Sequence, residues 1–127
     1  MKENTVIVRE VNASDLKLKN ILTVAEAAFG LQEGPVIVDL IKDLLEDSSA
    51  RPLLSMAALA GDKAVGYILF SRAVLVEAPQ VETRILAPLA VLPERQRQGI
   101  GRLLIRASMD LLKKEGVLYP ETGLYGP

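Results

Sequence analysis

Two periods of apolar recurrence alternate along this chain. Thr5-Val6-Ile7-Val8-Arg9-Glu10-Val11 is rich in β-branched residues, which suit a pleated surface, and predicts a first strand. Ser14-Asp15 then offers an N-cap and an acidic first turn; Leu18, Ile21, Leu22, Ala25 and Phe29 follow at helical spacing until Gly30 ends the run. A second helix is predicted from Pro35, a residue suited to a first turn. Its apolar face is Ile37, Leu40, Ile41, Leu44 and Leu45, set against Asp39, Lys42, Asp43 and Glu46.

The middle of the chain changes to strand patterning. Leu53 to Ala60 and Ala64 to Glu77 are apolar runs separated by Gly61-Asp62-Lys63, a hairpin signal. In the longer run Ile68, Phe70, Val74 and Val76 alternate with Val65, Tyr67, Leu69 and Leu75, so both sides are apolar. Such a strand lies centrally, covered on both faces. Ala78-Pro79 turns the chain, and Val81 to Val91 alternates, with Val81, Thr83, Ile85, Ala87, Leu89 and Val91 on one side. Pro88 interrupts that run; proline cannot donate to a ladder, so it predicts a bulge or a place where pairing parts.

After a polar loop, a helix is predicted from about Gly99 to Lys114, with Ile100, Leu103, Leu104, Ala107 and Leu111 as its buried stripe and Lys113, Lys114 and Gly116 closing it. The order β-α-α-β-β-β-α predicts an α/β (α+β) fold: a mixed, mainly antiparallel sheet with helices on both faces. Residues 1–127 are expected to form one domain.

Composition narrows the chemistry. Half the residues are apolar but 4% are aromatic and none is Trp, so the core is aliphatic. There is no cysteine, which removes disulfides, thiolate metal sites and a cysteine nucleophile. There is no histidine either, which removes Ser-His-Asp triads and histidine acid–base catalysis. No acidic cluster has metal-ligand spacing, so no metal is expected. A net charge of −1 gives no whole-molecule attraction to nucleic acid or to an anionic membrane. The charged start Met1-Lys2-Glu3-Asn4 has no long apolar run behind it, and the apolar stretches fall short of a membrane span. A cytoplasmic location is the expectation.

The chemistry concentrates in Gln96-Arg97-Gln98-Gly99-Ile100-Gly101, where a loop opens a helix. Glycines let a backbone approach a ligand closely and adopt positive φ. The first N–H groups of a helix have no internal partner, and the helix dipole favours an anion there. From Glu94 to Arg106 four arginines (Arg95, Arg97, Arg102, Arg106) face one glutamate, a local charge of +3. The planar guanidinium can bind two phosphate oxygens at once, so a pyrophosphate is the natural occupant. A P-loop is excluded because Arg102-Leu103 stands where Lys-Ser/Thr is needed; Leu104 replaces the third small residue of a dinucleotide-binding fingerprint.

Pro88-Leu89-Ala90-Val91-Leu92-Pro93-Glu94-Arg95-Gln96-Arg97-Gln98-Gly99-Ile100-Gly101 resembles motif A of the GNAT superfamily of acetyl-CoA-dependent N-acetyltransferases. The pattern Gln/Arg-x-x-Gly-x-Gly/Ala is matched by Gln96, Gly99 and Gly101. The element order fits over about residues 4–116, most closely over 81–116. The resemblance implies that the backbone of Arg97, Gln98, Gly99, Ile100, Gly101 and Arg102 holds the pyrophosphate of acetyl-CoA, and that the pantetheine arm pairs with Leu89, Ala90 and Val91. It implies direct acetyl transfer from thioester to amine. A strand-4 N–H would polarise the carbonyl, a carboxylate or ordered water would take the amine proton, and a tyrosine often protonates the thiolate.

The chain departs from the family after the last helix, where the family continues with a fifth strand, a helix and two further strands. Here Val117 to Pro127 allows one short strand or an irregular tail, so the C-terminal strands are missing or reduced and one wall of the cleft with them. An exposed strand-4 edge follows, for which a homodimer covering that edge is one expectation. Tyr119 and Tyr125 lack the family's helix context, so the tyrosine role does not transfer. Glu33, Glu77 and Glu82 are the carboxylates near enough to be considered as a base, and none is assigned. Three readings stay open: an N-acetyltransferase for a small-molecule or peptide amine; a catalytically incomplete module that binds CoA or a partner chain; and an unrelated anion-binding domain.

Overall fold

The computed structural model describes residues 5–12, 18–47, 53–73 and 83–114. β1 (Val6–Val11), β2 (Leu54–Ala60), β3 (Lys63–Ala73) and β4 (Thr83–Val91) form one sheet in the order β1-β2-β3-β4, each neighbouring pair antiparallel. α1 (Leu18–Glu46) joins β1 to β2, and α2 (Ile100–Lys114) follows β4. The fold is α+β in the expected order. Val74, Val76, Glu77, Val81 and Glu82, like Ser14-Asp15, Tyr119 and Tyr125, lie outside the described residues.

The two predicted N-terminal helices are the two arms of α1. They meet at Gly30, whose φ of 86° and ψ of −177° break the helical path. Pro35 stands inside the second arm rather than at its start, because helix resumes directly after Gly30. Gly34 has a separate role: a Cβ there would lie 2.6 Å from the backbone carbonyl oxygen of Glu26. The arms therefore touch backbone to backbone, an approach that no larger residue permits.

Gly66 marks the face of the sheet that α2 covers, since a Cβ there would sit 3.0 Å from side-chain atoms of both Ile100 and Leu104. Alternation along paired strands then puts Met56, Ala58, Gly66 and Ile68 on the α2 side. Ser55, Ala57, Tyr67 and Leu69 fall on the other side, where α1 packs against β3 and β4. All of them are buried, as a centrally placed pair of strands covered on both faces requires. Ile21, Val24, Ala25 and Ile41 supply the buried contribution of α1.

Two details of the helical faces differ from the sequence expectation. The buried residues of α2 are Ile100, Leu104, Ser108 and Leu112, while Leu103 is 41% exposed. The stripe follows a strict four-residue repeat, and it admits Ser108 because its hydroxyl donates to the Leu104 carbonyl at 2.8 Å. On α1, Leu40 is 39% exposed, and Leu31 and Val36 are more so. By length and composition the stretch Asn20–Glu46 could cross a membrane, with a window of mean hydropathy 1.3. The expectation that the apolar stretches fall short of a membrane span therefore does not hold for this stretch, although α1 is broken at Gly30 and packs on β3 and β4.

Tyr67 is fully buried, and its phenol lies 2.8 Å from the Ser55 hydroxyl. Burial pushes its pKa up to about 12, against a smaller opposing effect of the Ser55 bond.

Candidate functional site

The end of β4 sets the geometry. Leu92 donates its N–H to the Val65 carbonyl at 2.9 Å, so Leu92 turns its backbone groups towards β3. In an antiparallel strand these groups alternate in direction from one residue to the next. Ala90, paired with Tyr67, therefore also faces β3, whereas Leu89 and Val91 turn their N–H and C=O to the opposite edge. Among the described residues no strand occupies that edge. Of the three β4 residues the sequence singled out, Leu89 and Val91 offer backbone groups there; Ala90 has its own committed to the ladder.

Pro88 lies where the register shifts. Ile68 pairs with Leu89 and Phe70 with Leu86, so β4 spends three steps where β3 spends two. The surplus residue is the bulge that proline predicts, and it falls immediately upstream of the open edge.

Beyond β4, Pro93–Arg95 forms a single 3₁₀ turn held by Arg95 N–H to the Leu92 carbonyl at 2.8 Å and Gln96 N–H to the Pro93 carbonyl at 3.3 Å. Gln96 is extended, and then Arg97 adopts φ 67° and Gly99 φ 84°. Among the described residues Arg97 is the one non-glycine with positive φ. Positive φ on either side of Gln98 is the kind of backbone from which anion-binding nests are built, where successive N–H groups converge. The first backbone bond of the following helix is Leu103 N–H to the Gly99 carbonyl at 3.0 Å. Among the described residues, no backbone carbonyl engages the N–H groups from Arg97 to Arg102.

Each predicted residue of the turn has a definite place. Arg97, Gln98, Gly99 and Arg102 are exposed. Ile100 is buried under Gly66, so it contributes an N–H while its side chain anchors the helix. Gly101 is half-exposed, and a Cβ there would meet the Leu89 side chain at an ordinary 3.7 Å. Packing within the fold therefore does not demand glycine at 101. Glu33 is exposed on α1, just past the kink.

Sequence reasoning missed the two side-chain ties of this loop. Gln96 donates from Nε2 to the Val91 carbonyl at 3.1 Å, and Gln98 donates from Nε2 to the Glu94 carbonyl at 3.4 Å. Strand alternation could have indicated that the Val91 carbonyl faces outward, but nothing local marks Gln96 as its partner. Among the described residues, hollows elsewhere include one of about 380 Å³ at the α1 kink, lined by Thr23, Glu26, Ala27, Gly30 and Leu31, and one of about 100 Å³ between Asn20, Thr23 and Leu92. Among the described residues no group of three or more acidic side chains is placed to hold a metal ion.

Comparison with known proteins decides the family. The model of the acetyltransferase (GNAT) family matches residues 18–123. The chain belongs to the GNAT family. It is 44% identical over 108 residues to YjhQ of Escherichia coli K12, described as an uncharacterised N-acetyltransferase. That match covers 83% of this chain and 54% of YjhQ, so the chain spans about half the length of this curated relative. A GNAT acetyltransferase from Brucella melitensis, solved with acetyl-CoA, superposes with a TM-score of 0.71 at 29% identity, over 95% of this chain and 79% of its own. The GNAT protein YhbS of E. coli, solved with CoA, gives a TM-score of 0.70 over 88% of this chain and 58% of its own; at 22% identity it bears on the fold alone.

Proposed function

We propose that this GNAT chain binds acetyl-CoA at the β4–α2 turn and transfers its acetyl group to a primary amine of a small molecule or peptide. One observation carries the reading: a run of unengaged N–H groups, Arg97 to Arg102, adjoins an open strand edge where Leu89 and Val91 turn their backbone groups outward. The first feature suits a pyrophosphate and the second suits an amide-bearing arm, and acetyl-CoA has both. The Brucella relative with acetyl-CoA supports the same assignment.

The residues divide the work. The nest at Arg97 to Gly99 and the first N–H groups of α2 hold the phosphates, with Arg97 and Arg102 adding charge from exposed positions. Leu89 and Val91 orient the arm along β4, and an outward N–H there is a donor suited to polarising an acyl carbonyl. Bound acetyl-CoA supplies the thioester whose acyl carbon the amine nitrogen attacks, forming the N–C bond as the C–S bond breaks; coenzyme A leaves as the thiolate, and the proton lost by the nitrogen restores its thiol by way of solvent. Isothermal titration with acetyl-CoA tests the binding, and no heat at millimolar ligand overturns it.

A second reading starts from the β4 edge, which among the described residues is open to a strand or ligand. In it the chain is an incomplete module that binds CoA or a partner chain without turnover. Acetylation of any amine well above background, across a broad panel, counts against it. A cytoplasmic location and a homodimer closing over the β4 edge extend the first reading. Sedimentation velocity tests the dimer, and a monomer across the micromolar range rejects it.

A further inference from the structure

Gln96 is the residue of the glycine motif that the cradle leaves without a role. Its N–H donates to the Pro93 carbonyl, so it is not one of the unengaged donors of the turn. Its side chain turns back to the strand, donating from Nε2 to the Val91 carbonyl at 3.1 Å. That carbonyl belongs to the outward set of β4, because the adjacent Leu92 is turned towards β3 by its bond to Val65. An outward carbonyl at an open edge is an acceptor for whatever lies along the strand. Gln96 occupies it.

We infer that Gln96 is a positioning residue that caps the Val91 carbonyl and so fixes where the amide arm of the cosubstrate pairs with β4. With this acceptor engaged, the outward groups left wholly free for the arm are the Val91 N–H and the N–H and C=O of Leu89. An arm shifted by one amide towards the loop has to share the Val91 carbonyl with Gln96 and is disfavoured. The same bond ties the start of the nest to the end of the strand, so the spacing between phosphate site and arm site is held from within the chain. Gln96 acts through Val91, not on the phosphates. The inference rests on the acetyl-CoA reading above and sharpens it.

The test compares two ligands on the full chain: coenzyme A, and its nucleotide half, 3′-phosphoadenosine 5′-diphosphate, which has the pyrophosphate and no pantetheine arm. Gln96→Leu keeps the bulk and removes the donor. It is expected to weaken coenzyme A by roughly three- to tenfold, the range for losing one such bond, while leaving the nucleotide half within about twofold. Gln96→Arg, which keeps a donor of sufficient reach, is expected to restore the ratio of the two affinities to that of the wild type. Equal weakening of both ligands by Gln96→Leu overturns the inference, because it places Gln96 on the phosphates. Unchanged affinity for both also overturns it. A thermal melt of Gln96→Leu within about 2 °C of wild type assigns the loss to the site rather than to the fold. Failure of the wild type to bind coenzyme A at all overturns the acetyl-CoA reading itself, an outcome distinct from the other two.

Discussion

Glycines 99 and 101 look equivalent in the sequence and are not equivalent in space. Gly99 needs its φ of 84°, with open space where a Cβ would point. Gly99→Ala is expected to cost about 1–2 kcal/mol in urea unfolding, the price of a left-handed L-residue. Gly99→Glu should cost the fold a similar amount and, on the proposed acetyl-CoA reading, abolish binding, because its carboxylate would stand among the proposed phosphate donors. Retained affinity in Gly99→Glu would remove the site. Tyr67 offers a second test at this scale. Its pKa is raised from 10.0 to about 12, so the unfolded chain loses the phenolic proton first. Stability from this group is complete below pH 10 and is lost as pH climbs towards 12, by about 2–3 kcal/mol. Tyr67→Phe is expected to flatten that part of the stability–pH curve. At neutral pH it should cost about 1 kcal/mol, because the buried Ser55 hydroxyl loses its partner.

Elements here are shaped by where they must bend. Gly30 and Pro88 are read correctly from the sequence as interruptions, one breaking α1 and the other bulging β4. Their consequences depend on what packs across them. Gly34→Ala illustrates this: helix propensity alone predicts a gain of about 1 kcal/mol. The Glu26 carbonyl 2.6 Å from the new Cβ predicts the reverse, since backbone cannot swing aside as a side chain can. A net destabilisation of about 1–3 kcal/mol is expected, read as a lowered melting temperature. A raised one would show that the arms of α1 separate freely. The α2 stripe makes the same point in reverse, because Ser108 is buried once its hydroxyl finds the Leu104 carbonyl, and hydropathy alone assigns it to the surface.

Charge belongs to the whole molecule. With a net charge of −1, the chain as a whole does not draw an anion in, so on the proposed reading attraction depends on the local arginines of the β4–α2 turn. Those at 97 and 102 are exposed, so salt screens them. Acetyl-CoA affinity is expected to fall severalfold between about 0.05 and 0.5 M salt, where the screening length shrinks from above 10 Å to below 5 Å. An affinity indifferent to salt would shift the recognition from the arginines to the backbone N–H groups. The β4 edge that no strand occupies among the described residues is likewise a property of the assembled sheet.

The sequence by itself determined the element order, the break at Gly30, the bulge at Pro88 and the glycine turn. These are local matters, settled by periodicity, by proline's missing donor and by glycine's missing Cβ. Tertiary structure decided which way each backbone group points. The Leu92 bond to Val65 turns Ala90 inward and leaves Leu89 and Val91 facing the open edge, and the Gln96 side chain then covers one of their carbonyls. The turn marked at the outset as a phosphate cradle thereby gains a fixed relation to the strand beside it. Strand parity is set by pairing between segments distant in sequence, so no local pattern of residues encodes it.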